Sequence, residues 1–337
     1  MFRISRFGFR VFDAKSSEVF GARIDHIPCG SIHSEAGSRV HGDWDMIISA
    51  SRRTDIPAFY TAWFMNRLRE GWCLVPNPFR AMQVSEVSLK AEDVDVIVFW
   101  TRNALPILPH LQELEERGYR SYFLYTLMHN PAEVDPGCPP LEGALRTFKT
   151  LADRVGPQKA IWRYDPIVIT SLTDPDFHKE AFRRIATALR GYTERCVVSI
   201  MHPYRKAERR FEEEGIELKT CEESAMGGLL RFMAGEAQEQ GMEIQSCAQE
   251  MELEAYGVKP GKCVGDGYLA GVFGIDAGHR KDRSQRRACG CIKSKDIGMY
   301  DTCLYGCLYC YATGSFKKAA ENYRRHDPNG PSLIPVP

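Results

Sequence analysis

What is scarce in this 337-residue chain bounds what it can be. Net charge is absent, because 44 Lys and Arg balance 44 Asp and Glu. No global field draws such a chain to nucleic acid or to an anionic surface, so any such affinity would rest on a local basic strip. Long apolar runs are missing too. The longest, such as 94–100, fall far short of the about 20 residues needed to span a bilayer. The first fourteen residues are basic and aromatic, with neither a continuous apolar core nor a small-residue cleavage site, so they do not read as a secretory signal. The expectation is a cytoplasmic protein with no membrane contact. There, twelve cysteines stay reduced and free for metal, which argues against a disulfide scaffold.

Residues 1–45 lack periodicity and carry scattered Gly, Ser and His. They are expected to be a poorly ordered extension, or a stretch upstream of a true start at Met46. From there, short apolar strands alternate with amphipathic helices. Strands are expected at 46–49, 94–100, 121–126, 160–163, 196–200 and 242–246. Helices are expected at 55–70, 144–155, 176–190, 204–214 and 222–240, with Gly71 and Gly156 as stops. Such alternation predicts an α/β fold on a parallel sheet. A full or partial (β/α) barrel over 46–250 is the leading architecture, and a doubly wound sheet is the alternative. A cysteine-rich segment, 251–325, would pack on the barrel, and 326–337 would be a tail.

Polar residues follow each strand: Ser51-Arg52-Arg53-Thr54-Asp55, Thr101-Arg102-Asn103, Thr126, Arg163-Tyr164-Asp165, His202, Cys247 and Gln249. Parallel barrels carry active sites on the loops after the strands, so these residues should converge. Loops are wet in every fold, but Arg and Asp recurring at strand ends beside Trp or Tyr exceed that background. Arg52, Arg53, Asp55, Arg163 and Asp165 are the candidate catalytic residues. Arginine suits bidentate recognition of a carboxylate or phosphate.

Cysteine is abundant near the end, with seven of the twelve between 247 and 310. Cys303, Cys307 and Cys310 form a Cys-x3-Cys-x2-Cys claw with Tyr309 before the third thiol. Zinc knuckles favour pairs of Cys-x2-Cys, whereas this spacing suits three corners of a 4Fe–4S cluster, leaving one iron for an outside ligand. Cys247, Cys263, Cys289 and Cys291 are a second candidate set, for zinc or an auxiliary 4Fe–4S cluster. Cys73, Cys138, Cys196 and Cys221 read as core or loop residues. The run 281–287 is basic and reads as a solvated or substrate-facing loop, and 316–325 reads as a short basic helix. The glycines of 265–271 lack a strand–helix frame, so a phosphate loop is weakly supported.

The claw with its aromatic slot resembles the signature of the radical S-adenosylmethionine enzymes, and Cys310-Tyr311-Ala312 is most similar to the spore photoproduct lyase branch. The stretch 46–325 also resembles a microbial family of unassigned function through Ser51-Arg52-Arg53-Thr54-Asp55-Ile56-Pro57, Arg163-Tyr164-Asp165-Pro166 and the run from Asp296 to Cys303. The resemblance implies a 4Fe–4S cluster on Cys303, Cys307 and Cys310, with S-adenosylmethionine on the open iron and Tyr309 near its adenine. It implies reductive cleavage to a deoxyadenosyl radical, a reductant such as a ferredoxin or flavodoxin, and hydrogen abstraction from a nucleic-acid, peptide or small-metabolite substrate. One departure stands out: ordinary relatives place the claw after the first strand, whereas here it comes last. The competing reading is a non-enzymatic zinc or iron–sulfur module binding nucleic acid through 281–287 and 316–325. A third is electron transfer between two clusters.

Overall fold

The structure is a computed structural model that describes residues 46–336. The expectation for residues 1–45 lies outside the described residues. Among the described residues the strands are β1 Ile47–Ala50, β2 Trp72–Asn77, β3 Arg80–Ser88, β4 Val96–Thr101, β5 Ser121–Thr126, β6 Ala160–Ile167, β7 Arg195–Ile200, β8 Glu243–Cys247, β9 Lys259–Gly261 and β10 Lys295–Asp296. The α-helices are α1 Ile56–Phe59, α2 Thr61–Glu70, α3 Leu111–Glu116, α4 Leu141–Val155, α5 Pro175–Ala188, α6 Arg205–Glu213, α7 Glu223–Glu239, α8 Asp266–Phe273 and α9 Phe316–Arg325.

Eight strands form one sheet in the order β10-β1-β4-β5-β6-β7-β8-β9, and its pairings are parallel. Strands such as β4, VIVFWT, are apolar on both faces because both faces are covered. One face, with Ile97, Phe99, Phe123, Trp162 and Val198, packs on α2, α4, α5 and α7 in the main core. The other, with Val96, Val98, Tyr122, Leu124 and Val197, packs on α8 and the cysteine-bearing segment. The long helices therefore share one face, which a doubly wound sheet would divide. The closure of a full barrel is not formed: among the described residues, β9 and β10 are unpaired edges of an open sheet.

Several boundaries differ from expectation for local reasons. The helix expected at 55–70 breaks at Tyr60 into α1 and α2, and Gly71 caps the second in the left-handed conformation, φ 82°. Asp174 caps α5 by accepting from the Phe177 amide, with Pro175 in the first turn. The antiparallel hairpin β2–β3 was not foreseen, although Cys73, Val75 and Val87 alternate inward along it. The glycines of 265–271 do sit in a strand–helix frame, β9 to α8. However, Asp266 in the first turn of α8 pairs with Lys262 and His279, so a carboxylate occupies the place where a phosphate would bind.

The segment 251–325 supplies both edge strands of the sheet, and the stretch expected to be a tail is docked. Trp63 donates to the Gly330 carbonyl at 3.0 Å, Leu74 N–H to that of Pro331 at 2.8 Å, and Leu333 and Ile334 are buried.

Candidate functional site

The strand ends of the sheet open onto a cavity of about 770 Å3. Its walls include the candidate catalytic residues Arg52, Arg53, Asp55, Arg163 and Asp165, with Tyr309 and the seven cysteines of both sets, whereas Asn103, Tyr164 and Gln249 lie outside the lining. Loops after parallel strands converge at one end of a sheet, which is why residues up to 258 positions apart meet here.

The wall after β1 is built around Asp296 of β10. Its carboxylate accepts from Ser49 Oγ at 3.1 Å, Ser51 Oγ at 2.6 Å, Arg52 N at 2.8 Å and Gly298 N at 3.0 Å. This knot ties the segment leading into the claw onto the first strand. A Cβ on Gly298 would lie 2.0 Å from Ser51 Oγ, so only glycine fits. Asp55 spans two loops, accepting from the amides of Ala58 at 3.0 Å and Arg102 at 2.6 Å. Burial pushes its carboxyl up to about 6, against the opposing effect of those bonds. With both oxygens engaged, Asp55 is a positioning residue. Arg53 donates to the Gly298 carbonyl at 3.2 Å, and Asp165 accepts from Arg163 and from Ser199.

The claw loop is fastened from three sides. Arg210 of α6 is buried and donates to the carbonyls of Leu308 at 3.3 Å, Cys310 at 3.0 Å, Thr313 and Gly314 at 3.4 Å. Tyr60 donates to the Thr302 carbonyl at 2.7 Å. The 131–138 loop meets the claw through Gly137 N–H to Tyr305 O at 2.8 Å and Leu308 N–H to Val134 O at 3.1 Å. A Cβ on Gly137 would lie 2.6 Å from the Tyr305 carbonyl oxygen.

Tyr309 is tied into the wall. It donates to Asp135 at 2.9 Å and accepts from Arg102 at 2.5 Å, while Arg102 pairs with Asp135 at 3.1 Å. Sequence reasoning missed this network, and with it Cys138, which it assigned to core or loop. The Cys138 sulfur lies 3.8 Å from that of Cys307 and accepts from Arg102 at 2.5 Å. Asp135, Cys138 and Cys307 offer ligand atoms within 4.8 Å of one another. Cys138 is not among the cavity's lining residues. Its thiol is shifted toward the thiolate by the Cys307 hydrogen bond and by Arg102, while that bond, together with burial, raises Cys307. No sequence spacing marks Cys138, because 169 positions separate it from Cys307. Cys73 and Cys196 are buried core residues, as expected.

The second set also gathers. Cys263 Sγ donates to Cys247 Sγ at 3.3 Å, and Cys291 Sγ accepts from the Val264 amide at 3.4 Å. Interactions among these sulfurs favour thiolates at Cys247 and Cys291 and raise the Cys263 and Cys289 thiols. Arg52 and Arg163 flank the Trp100 ring at 4.9 and 4.7 Å from its centroid and face these sulfurs.

The donor chemistry of the claw suits the cluster that the resemblance implies. Three soft sulfurs line one cavity from a loop fastened through its carbonyls, and cluster sites are built from thiolates on a rigid backbone. Burial holds the Cys303 thiol protonated, so a metal bond is what would justify a thiolate there.

No helix among the described residues is long and apolar enough to cross a membrane. No curated protein matches the sequence. A family described as a domain of unknown function, DUF1848, matches residues 47–312. That match takes in the strand-end residues and both cysteine sets and covers most of the chain, which therefore belongs to the DUF1848 family.

Proposed function

We propose that this protein is a radical S-adenosylmethionine-type enzyme, with Cys303, Cys307 and Cys310 as the ligands of a catalytic 4Fe–4S cluster. The observation that carries this reading is that all three claw cysteines line the one cavity where the strand-end arginines converge. When bound, a three-thiolate cluster with S-adenosylmethionine at its open iron supplies a carbon radical able to take hydrogen from an unactivated C–H bond.

The chain's own residues do the placement. Arg210, Tyr60 and the 131–138 loop hold the claw rigid. Cys138 is engaged by Arg102, so in this reading the three claw thiols that line the cavity hold the cluster and one corner stays free. Cationic Arg52 and Arg53 line the cavity, where a carboxylate such as that of methionine finds partners. Phe79 of the β2–β3 turn, His202 and Lys206 also line it, and their apolar and polar groups give a substrate its contacts. The sheet's sequential strand order and one-sided long helices support a partial (β/α) barrel open between β9 and β10. A ferredoxin or flavodoxin is the expected class of reductant.

Anaerobic reconstitution with iron and sulfide should give a brown protein that cleaves S-adenosylmethionine to 5′-deoxyadenosine under dithionite. A fully loaded cluster that leaves S-adenosylmethionine intact overturns the proposal.

A further inference from the structure

We propose that Cys247, Cys263, Cys289 and Cys291 hold a second metal centre, a tetrathiolate dianion whose charge is offset by Arg52 and Arg163. The four thiols arrive from separate places: Cys247 at the end of β8, Cys263 just past β9, and Cys289 and Cys291 from the segment before β10. They nevertheless line one cavity, with Cys263 Sγ 3.3 Å from Cys247 Sγ and Cys291 Sγ accepting from the Val264 amide beside Cys263. All four are free cysteines. In a tetrahedral site with metal–sulfur bonds near about 2.3 Å, neighbouring sulfurs lie about 3.8 Å apart; the Cys247–Cys263 pair is already near that spacing, and Cys289 and Cys291 would turn inward to complete the shell.

Charge gives the second observation. Arg52 and Arg163 are cations in a poorly solvated wall, and Arg52 Nη2 and Arg163 Nε are buried with no hydrogen-bond partner. A buried cation left unbalanced is costly. Asp165 meets Arg163 and Asp296 lies near Arg52, and both guanidiniums also face the sulfurs of the second set. Four thiolates around Zn2+ carry a net charge of about −2, and so do four thiolates around an oxidised 4Fe–4S core. Either centre adds negative charge beside the unpartnered Arg52 Nη2 and Arg163 Nε. The two arginines thus serve the second cysteine set as counter-charges, beyond any contact with substrate.

Structurally, the centre would cross-link β8 and β9 to the segment that carries β10 and the claw. That fastens the open side of the sheet, where no strand pairing joins β9 to β10 among the described residues. Metal–thiolate bonds can offset the entropy of ordering so long a connection.

The test uses full-length C303A/C307A/C310A protein, made anaerobically, so that it is independent of the claw. Elemental and sulfide analysis should find about one zinc, or about four iron with four sulfide, per chain. Either result supports a tetrathiolate dianion and tells which it is. X-ray absorption at that metal's edge should show a shell of sulfur alone near about 2.3 Å, a readout that needs no change to the second set. Adding C289S/C291S should remove the metal. R52Q/R163Q should weaken its retention against a chelator by about 10- to 100-fold, with R52K/R163K recovering part of the loss. A metal-free claw variant, a shell of nitrogen or oxygen, or a Cys247–Cys263 disulfide in its place would overturn the centre. Unchanged retention in R52Q/R163Q would overturn the counter-charge role. Loss of S-adenosylmethionine cleavage with this metal intact would instead be a failure of the claw.

Discussion

The two cysteine sets are built in opposite ways. The claw comes from eight consecutive residues, 303–310, and the chain's own spacing brings its thiols into one loop. The second set spans 45 residues, 247–291, and meets only because β8, β9 and the 289–291 segment share one end of the sheet. The environments differ to match. The claw is fastened by hydrogen bonds to its backbone, chiefly from Arg210. The second set is joined by the Cys247–Cys263 sulfur contact and the Val264 amide on Cys291, and it faces two guanidiniums.

The sharpest way to break this comparison is to delete one set and watch the other. C303A/C307A/C310A should reduce S-adenosylmethionine cleavage to background while circular dichroism stays native, since each change removes a single sulfur atom from the small cluster around Cys307. If cleavage persists, the claw is not the catalytic site.

Arg210 tests whether the claw depends on its fastening. R210A strips hydrogen bonds from carbonyls of the claw loop and leaves them short of partners. A loss of about 3 kcal/mol is expected in urea unfolding, with faster proteolysis within 303–314. R210A protein as stable and protease-resistant as the parent would mean the loop is held by other contacts.

Asp55 predicts a pH dependence of similar size. Its folded carboxyl titrates at about 6, above the ordinary 3.8, so between these values the folded state holds a proton that the unfolded state has released. Stability should therefore fall as pH rises through that window, by up to about 3 kcal/mol at neutral pH. The stability gap between parent and D55N, measured by urea melts at pH 4 and pH 7, should shift against the parent at the higher pH. A gap independent of pH would show that the carboxyl is not perturbed in this way.

The smallest effect is expected at Cys138. If only three thiols ligate the cluster, C138S should retain its iron content and cleave S-adenosylmethionine within about threefold of the parent. Loss of the cluster in C138S would make Cys138 a fourth ligand and close the open corner.

Much of the frame was legible because each element carries its own signal. The runs at β4 and β5, the caps of α5 and the Gly71 stop are local, and those elements lie within a few residues of expectation. The pairs that build the site are not local. Asp296 reaches Ser51 across 245 positions, and Cys138 reaches Cys307 across 169. Nothing in the neighbouring residues of either partner encodes the other.

The sequence by itself determined the alternation of strands and helices, the polar residues at the strand ends and the three-thiol spacing, since periodicity and turn chemistry act over a few residues. Tertiary structure alone decided that the sheet stays open between β9 and β10, that Asp296 ties the claw segment to the first strand, and that Cys138 stands beside Cys307. Those outcomes depend on how separate elements stack and on which buried charges must be balanced, and such long-range terms leave no periodic trace along the chain.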